Sequence, residues 1–444
     1  MAPLDDHPTV IAVRGRSPQP RTNAAIDAAW LRQVCLDAGA DDVGFVEIER
    51  PELAEEREHV LALFPETKTL VSIVCRMNRE PVRRVQRSVA NAEFHHVGHD
   101  VNEVAHRVVK ELENKGLRAV NPPMAFPMEA DRWPDRTWVV SHKPVAVAAG
   151  LGMMGIHRNV IHPKFGNFIL LGTVLLESIG SEHSEPTSYN PCLECKLCVA
   201  ACPVGAIKPD GQFDLASCYT HNYREFMGGF GDWAEHLAEA KNGLDLRNRV
   251  TPAEQVSMWQ SLAFGPNYKS GNCIAVCPAG EDVIGQYLAD RGGFVNEVVK
   301  PLQQNTEAVY VVPNSDAEAH VSKRFPHKRV RRVRGSLLPS TVKGFLFGIG
   351  LSFQRDQSVG LNAIYHFTFT GSDSTQATVT IRDKSVDVRD GLLGTADCAV
   401  TADADIWLGF LRKEKSILWA ILRRKVRVKG KLSLLTAFGK CFPT

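Results

Sequence analysis

No uninterrupted apolar stretch reaches the roughly 18 residues needed to cross a bilayer, since the richest runs, Val145 to Ile156 and Phe168 to Leu176, are too short. The N-terminal segment has two early aspartates and lacks the apolar core of a secretory signal, and no twin-arginine signal is present, so a cytoplasmic protein is expected. Net charge is nearly absent as well. The 52 basic and 50 acidic side chains leave +2, too little to imply a nucleic-acid binder. Eleven cysteines in 444 residues are too sparse for a disulfide framework. With 44% apolar and 23% charged residues, the composition excludes wholesale disorder, collagen-like repeats and a membrane-embedded bundle. The length suggests about three folding units.

The sparse cysteines are concentrated, with seven of the eleven between Cys192 and Cys277. Cys192, Cys195, Cys198 and Cys202, followed by Pro203, form C-x2-C-x2-C-x3-C-P. In bacterial ferredoxins this run holds an iron–sulfur cubane with three thiolates while the fourth serves a second cluster. Structural zinc is the alternative, but two C-x2-C pairs would satisfy it, leaving the fourth spacing and the C-P-V-G-A-I ending unexplained. A second arm consists of Cys218 and, after a long insertion, Cys273-x3-Cys277-Pro278. With the usual exchange of ligands, one cluster takes Cys192, Cys195, Cys198 and Cys277, and the other takes Cys202, Cys218 and Cys273. The second is one thiolate short, because Ser270 stands where C-x2-C-x3-C-P requires a cysteine. A serine oxygen, a water or substrate on the fourth iron, or a three-iron cluster all remain open. Cys35, Cys75, Cys398 and Cys441 lie singly and read as buried structural thiols.

Apolar spacing predicts a helix over 23–40, strands at Val43 to Ile48 and Lys68 to Cys75, and a helix from Asn102 to Lys115. Such alternation favours an α/β layer. Gly150, Gly152 and Gly155 then allow close backbone approach, either to a bulky cofactor or between packed elements. His95, His96 and His99 lie on what reads as a polar interhelical segment, where solvent or hydrogen-bonding roles outweigh metal ligation.

The order of α/β region, AAGLGMMG turn, FGNFILLGTVLLE strand, CLECKLCVAACPVGAI and CIAVCP resembles the epoxyqueuosine reductases and their relatives, the reductive dehalogenases, over about residues 23–290. The resemblance implies a nitroreductase-like α/β core that binds cobalamin, with Gly150, Gly152 and Gly155 at the cofactor, and two iron–sulfur clusters as electron donors. Three departures stand out. The acidic proton donor of the tRNA-modifying enzymes has its ungapped counterpart near Asp135-Arg136-Thr137, one of eight thiolates is replaced, and their helical-repeat tail is not evident. The shared scaffold is therefore expected without epoxyqueuosine as its substrate.

Residues 313–340 turn polar and strongly basic and read as an exposed connector. Beyond it, alternating strands with turns at Gly371-Ser372, Arg382-Asp383 and Asp390-Gly391 lead to Asp403-Ala-Asp405 and Val428-Lys-Gly-Lys-Leu432. This region resembles a sterol-carrier-protein domain, which implies a tunnel for an apolar molecule. Basic runs at Lys323 to Arg334 and Arg423 to Lys431 read first as solvated faces, with peripheral membrane contact the next choice. They contain almost no aromatics for nucleic-acid stacking.

The expected architecture is α+β/α/β multidomain: an N-terminal extension (1–22), a nitroreductase-like α/β core (23–180), a two-cluster bacterial ferredoxin-like insert (181–312), a basic linker (313–340) and a sterol-carrier-like domain (341–444). The expected activity is iron–sulfur reduction of an apolar or lipid-carried substrate, with no catalytic residue assigned. A ferredoxin, flavodoxin or reductase would be the electron donor. The cofactors would be one 4Fe-4S cluster and one atypical 4Fe-4S or 3Fe-4S cluster, with cobalamin as an addition. The alternative is a noncatalytic electron carrier or redox sensor with a lipid-binding or docking domain.

Overall fold

The computed structural model describes residues 4–15, 25–125, 138–335, 338–412 and 414–443. Its first half contains β1 (Asp42–Glu47), β2 (Thr69–Arg76), β3 (Ala119–Val120), the short ribbon of β4 (Met153–Met154) and β5 (Val160–Ile161), and β6 (Ile169–Leu176). The main sheet has the order β1-β2-β6-β3, with every pair antiparallel. The mixed α/β layer expected from alternating strands and helices is present, with its strands antiparallel. The helix Ala54–Leu63 returns the chain beside β1 in the opposite sense, and strand–helix alternation alone does not fix direction.

Burial on both faces explains why β2 is apolar almost throughout. Val71, Ile73 and Cys75 pack with Val97, Val101, Val104 and Val108, whose helical spacing forms one stripe of the helix Arg87–Asn114. Leu70 and Val74 face the other layer, where the helix His142–Ala148 supplies Val145, Ala146 and Ala148. The long helix starts well before the expected Asn102 and includes all three histidines of the supposed polar segment. His95 bonds the Pro266 carbonyl at 2.8 Å, while His96 and His99 face solvent.

Residues 313–335 are no exposed connector. The helix Asp316–Arg324 joins two parallel strands, β7 (Ala308–Val311) and β8 (Arg329–Arg332), and buries Ala317 and Val321. Its basic run is absorbed by carboxylates: Lys328 meets Glu307 at 2.9 Å, Arg331 meets Glu254 at 2.9 Å, and Arg332 meets Glu318 at 2.5 Å. The apolar positions of the run had been masked by its charge.

The last unit is a mixed sheet of β9 (Ala363–Thr370), β10 (Gln376–Arg382), β11 (Ser385–Asp390), β12 (Cys398–Asp403) and β13 (Val426–Gly430), in the order β11-β10-β9-β12-β13 with β9 and β12 parallel. Asp383 and Lys384, both at positive φ, make the tight turn between β10 and β11. Phe345, Phe367, Phe369 and Trp407 interlock with ring centroids 5.6–6.0 Å apart. These four rings form the centre of that unit's core.

His142 reports on this packing. Its Nδ1 lies 2.9 Å from the Thr173 hydroxyl and its Nε2 lies 3.2 Å from the Pro123 carbonyl, so the neutral ring accepts from the first and donates to the second. Burial pulls its pKa down to about 4. A histidine depressed in the fold contributes stability that is complete above the unfolded pKa of about 6.5 and is lost as pH falls toward 4. Denaturant titrations should therefore show a decline from pH 6.5 to pH 4, with His142 contributing on the order of 3 kcal/mol. The His142→Gln variant should flatten that slope, and an unchanged slope would refute the assignment.

Candidate metal centre

The first cysteine arm curls because Glu194 and Lys196 adopt left-handed backbone conformations, with φ of 47° and 61°. The short helix Leu197–Ala201 then carries Cys198 inward, and Cys202 follows at its end. The second arm repeats the device, with the helix Asn272–Ala275 carrying Cys273 and ending before Cys277. The two helices are joined where Asn272, itself buried, donates from Nδ2 to the Ala201 carbonyl at 3.1 Å.

Cys192, Cys195, Cys198 and Cys277 line a single narrow cleft open to solvent, together with Pro278, Ala279 and His157. Burial raises Cys198, and Cys273, Cys277, Cys195 and Cys192 raise it further. Burial pushes Cys277 up to about 12, with Cys195, Cys192 and Cys273 adding to the effect. The remaining three form a second neighbourhood. Cys218, on the helix Leu215–Asn222, is raised well above its usual value by burial and then by Cys202 and Cys273. Burial and Cys202 push Cys273 up to about 11. Among the described residues, no three Cys, His, Asp or Glu side chains converge closely enough to hold a single ion. The first four thiols ring a space instead, an arrangement suited to a cluster of several atoms.

Ser270 lies three residues before Cys273, its backbone N–H held by Asn222 Oδ1 at 2.9 Å. The surroundings of Cys273 include groups the cysteine spacing did not reveal. Asn159 donates to the Cys273 sulfur at 3.9 Å and accepts from Lys143 Nζ at 2.9 Å, linking an ammonium to the thiol. Burial lowers the Lys143 pKa, while Cys273 and Cys218 oppose that shift. Tyr223 and Tyr268 face each other at 5.8 Å, and burial followed by Cys218 raises the Tyr223 phenol.

Two arginines bear on the fit of an anionic group. Nη1 and Nη2 of Arg87, and Nε and Nη2 of Arg83, are buried without a hydrogen-bond partner among the described residues. Burial lowers both guanidinium pKa values; Glu307 and then Cys273 oppose this at Arg87, and Glu80, 3.8 Å from Arg83, and then Cys277 oppose it there. Orphaned guanidinium nitrogens are costly unless an anion compensates them. A cluster with thiolate ligands and bridging sulfides is such an anion, so the donor set and its cations both fit iron–sulfur clusters. Arg83 ends the helix Arg79–Arg83 and Arg87 opens the long helix, so no helical spacing in the sequence linked the two.

The glycine turn does not form a cradle. A Cβ on Gly150 would lie 2.3 Å from the Glu185 carbonyl oxygen, one on Gly152 would lie 2.2 Å from that of Ile161, and one on Gly155 would lie 2.7 Å from the Ile161 side chain. Close packing of protein against these three positions accounts for glycine there without a ligand. The candidate acidic position, Asp135-Arg136-Thr137, lies outside the described residues. Cys35, Cys75, Cys398 and Cys441 are each buried. No described helix is long and apolar enough to cross a membrane.

The mixed sheet and its flanking helices match a known family. Residues 353–443 match the SCP-2 sterol transfer family. Part of the chain is similar to epoxyqueuosine reductases. That of Staphylococcus aureus is 39% identical over 82 residues, covering 18% of this chain and 21% of the relative. That of Vibrio cholerae is 28% identical over 132 residues, covering 30% and 34%. The chain thus spans between a fifth and a half of the first five curated relatives it matches. Among solved structures, an epoxyqueuosine reductase with an epoxyqueuosine-modified tRNA-Tyr stem loop is 18% identical at a TM-score of 0.34, covering 45% of this chain and 57% of that one. A reductive dehalogenase is 14% identical at a TM-score of 0.40, covering 86% and 43%.

The packing at the turn makes a direct forecast. Gly152 combines φ of +145° with its close approach to Ile161. Gly152→Ala should therefore lose more than about 1 kcal/mol of stability in thermal or denaturant unfolding. A variant as stable as the parent would contradict the packing role.

Proposed function

We propose that the chain is an iron–sulfur reductase that passes single electrons from an outer to an inner centre. The observation that carries this reading is the partition of seven thiols into a set of four around one cleft and a set of three beside it, with buried arginines facing both. Cys192, Cys195, Cys198 and Cys277 would hold a 4Fe-4S cluster. Cys202, Cys218 and Cys273 would hold the atypical one, as a three-iron cluster or a four-iron cluster completed by the Ser270 oxygen or a water. Such clusters supply one-electron transfer when bound. Cobalamin is not part of this proposal, because protein packing alone accounts for the three glycines.

The residues divide the work by position. The four-thiol set lines a cleft open to solvent, which leaves it approachable by a ferredoxin, flavodoxin or reductase. The three-thiol set is flanked by Lys143, Arg87, Tyr223 and Tyr268. The C-terminal unit docks at this inner set. Gln354 Nε2 donates to Asp214 at 3.0 Å, and Asp214 caps the helix that carries Cys218 by accepting from Ser217 N–H at 2.9 Å. This placement favours an apolar, lipid-associated electron acceptor. A second reading takes epoxyqueuosine in tRNA as the acceptor, on the strength of the homologues' name and the tRNA stem loop bound by one structural neighbour. Turnover with a reduced donor and each acceptor separates the two, and reoxidation without product would mark an electron carrier.

Anaerobic iron analysis and electron paramagnetic resonance should show one ordinary four-iron centre and one atypical centre. Cys277→Ala should remove the first and Cys218→Ala the second, while Ser270→Cys should make the second ordinary. Stoichiometric zinc with no iron would end this reading.

Arg87 gives an electrostatic test that does not depend on the acceptor. Its guanidinium stabilises negative charge, so Arg87→Gln should move the midpoint potential of the inner centre to more negative values, by tens of millivolts, while leaving the outer centre nearly unchanged. Arg87→Lys should retain most of the original potential. Equal potentials in all three proteins would exclude a role for the charge.

A further inference from the structure

The C-terminal unit carries a surface that the redox reading leaves unused. On the short helix Ile417–Leu422, Ala420 is buried against the sheet while Leu418, Trp419 and Leu422 are 76%, 57% and 76% exposed. Leu422 lies four residues after Leu418 and three after Trp419, the spacings that bring helical side chains side by side, so three large apolar side chains stand together in water. Isolated exposed apolar residues are ordinary, but a trio of this kind on a six-residue helix is a patch.

The charge around this patch is one-sided. Between residues 412 and 431 there are nine lysines and arginines and one acidic residue, in a chain that otherwise balances 52 basic against 50 acidic groups. Arg423, Arg424, Lys425, Arg427, Lys429 and Lys431 are all exposed, and none forms an ion pair among the described residues. The other basic run, Lys323 to Arg334, is largely paired with carboxylates. Arg427 and Lys429 lie on β13, the edge strand of the sheet, where lysine also discourages strand pairing. That protective role does not account for the exposed leucines and tryptophan next to it.

We propose that the helix Ile417–Leu422 and the basic residues after it form a docking surface for an anionic lipid bilayer. Leucine and tryptophan side chains gain by entering the headgroup–acyl boundary, tryptophan is favoured at that depth, and flanking cations are drawn to acidic headgroups. Each element of the patch thus has a partner in one surface. A nucleic-acid backbone would use the cations but not the leucines. The ring of Trp419 is covered by the Arg423 guanidinium at 4.6 Å, which leaves that face unavailable for stacking on a base.

The test is cosedimentation of the full chain with vesicles of phosphatidylcholine alone and of phosphatidylcholine with phosphatidylglycerol, repeated with a tRNA competitor. The parent should bind the phosphatidylglycerol vesicles at least tenfold more tightly than the neutral ones, and raised salt should weaken that binding. Leu418→Ser with Leu422→Ser, and separately Arg423→Glu with Arg424→Glu, should each lower the affinity at least tenfold. These side chains are exposed, so circular dichroism and iron content should match the parent, and the readout is independent of the proposed reductase activity. Absence of vesicle binding, or binding indifferent to both double variants, would overturn the proposal. So would tRNA binding that is lost in the arginine variant but retained in the leucine variant, since that pattern belongs to a nucleic-acid surface.

Discussion

The hydrogen bond from Asn272 to the Ala201 carbonyl is the constraint on which the centre depends. It joins two short helices, Leu197–Ala201 and Asn272–Ala275, each of which begins in one thiol set and ends by handing a cysteine to the other. Cys202 leaves the first arm for the second set, and Cys277 leaves the second arm for the first. The exchange is possible only if the helix ends are held side by side. An amide donor buried at this junction contributes more than a typical exposed bond, because an unpaired carbonyl there would lose its solvation without compensation.

Because the arms are interlocked, the long insertion between Cys218 and Cys273 can vary in structure without separating the thiols. Tyr223 and Phe226 close one end of it, packing edge-on against Tyr268 just before Ser270 at 5.8 and 5.3 Å. Asn91 of the long helix fixes the same stretch by donating to the Tyr268 carbonyl and accepting from its N–H, at 3.1 and 3.0 Å. The antiparallel layer thus reaches the cysteine region through the first turns of one helix. Arg83 and Arg87 come from this same region of the layer, which explains why the cations facing the thiols belong to a part of the chain far from them in sequence.

What could be read from sequence follows from how local the governing physics is. Cysteine spacing, the proline after each arm and the β10–β11 turn are set by a few adjacent residues and were legible, the turn being read one residue early at Arg382-Asp383 rather than Asp383-Lys384. The direction of the strands was not, because the helix Ala54–Leu63 connects β1 to β2 equally well in either sense and only long-range pairing decides. Gly152 looked alike whether a cofactor or Ile161 stood opposite, since glycine records close approach but not the identity of the neighbour. Residues 313–335 misled in another way. Lys328, Arg331 and Arg332 gave the segment the composition of a connector, yet each meets a carboxylate supplied by another element or turn. Arg87 carried no signal in sequence, because its meaning lies in the partners its nitrogens do not find.

The same contrast between paired and unpaired cations distinguishes the surfaces of the molecule. A buried guanidinium without an anion, as at Arg87, costs far more than an exposed one, so its persistence points to a compensating charge within the fold. Exposed arginines without carboxylates, as at Arg423 and Arg424, cost little in water and impose no internal demand. Their position beside Leu418 and Leu422 gives them their meaning, because apolar surface left in water is a cost that an external partner can remove. The docked bond between Gln354 and Asp214 ties these two regimes together. It fastens the unit that bears the outward-facing patch to the helix that bears Cys218, so a surface that holds the C-terminal unit would also orient the inner thiol set relative to that surface.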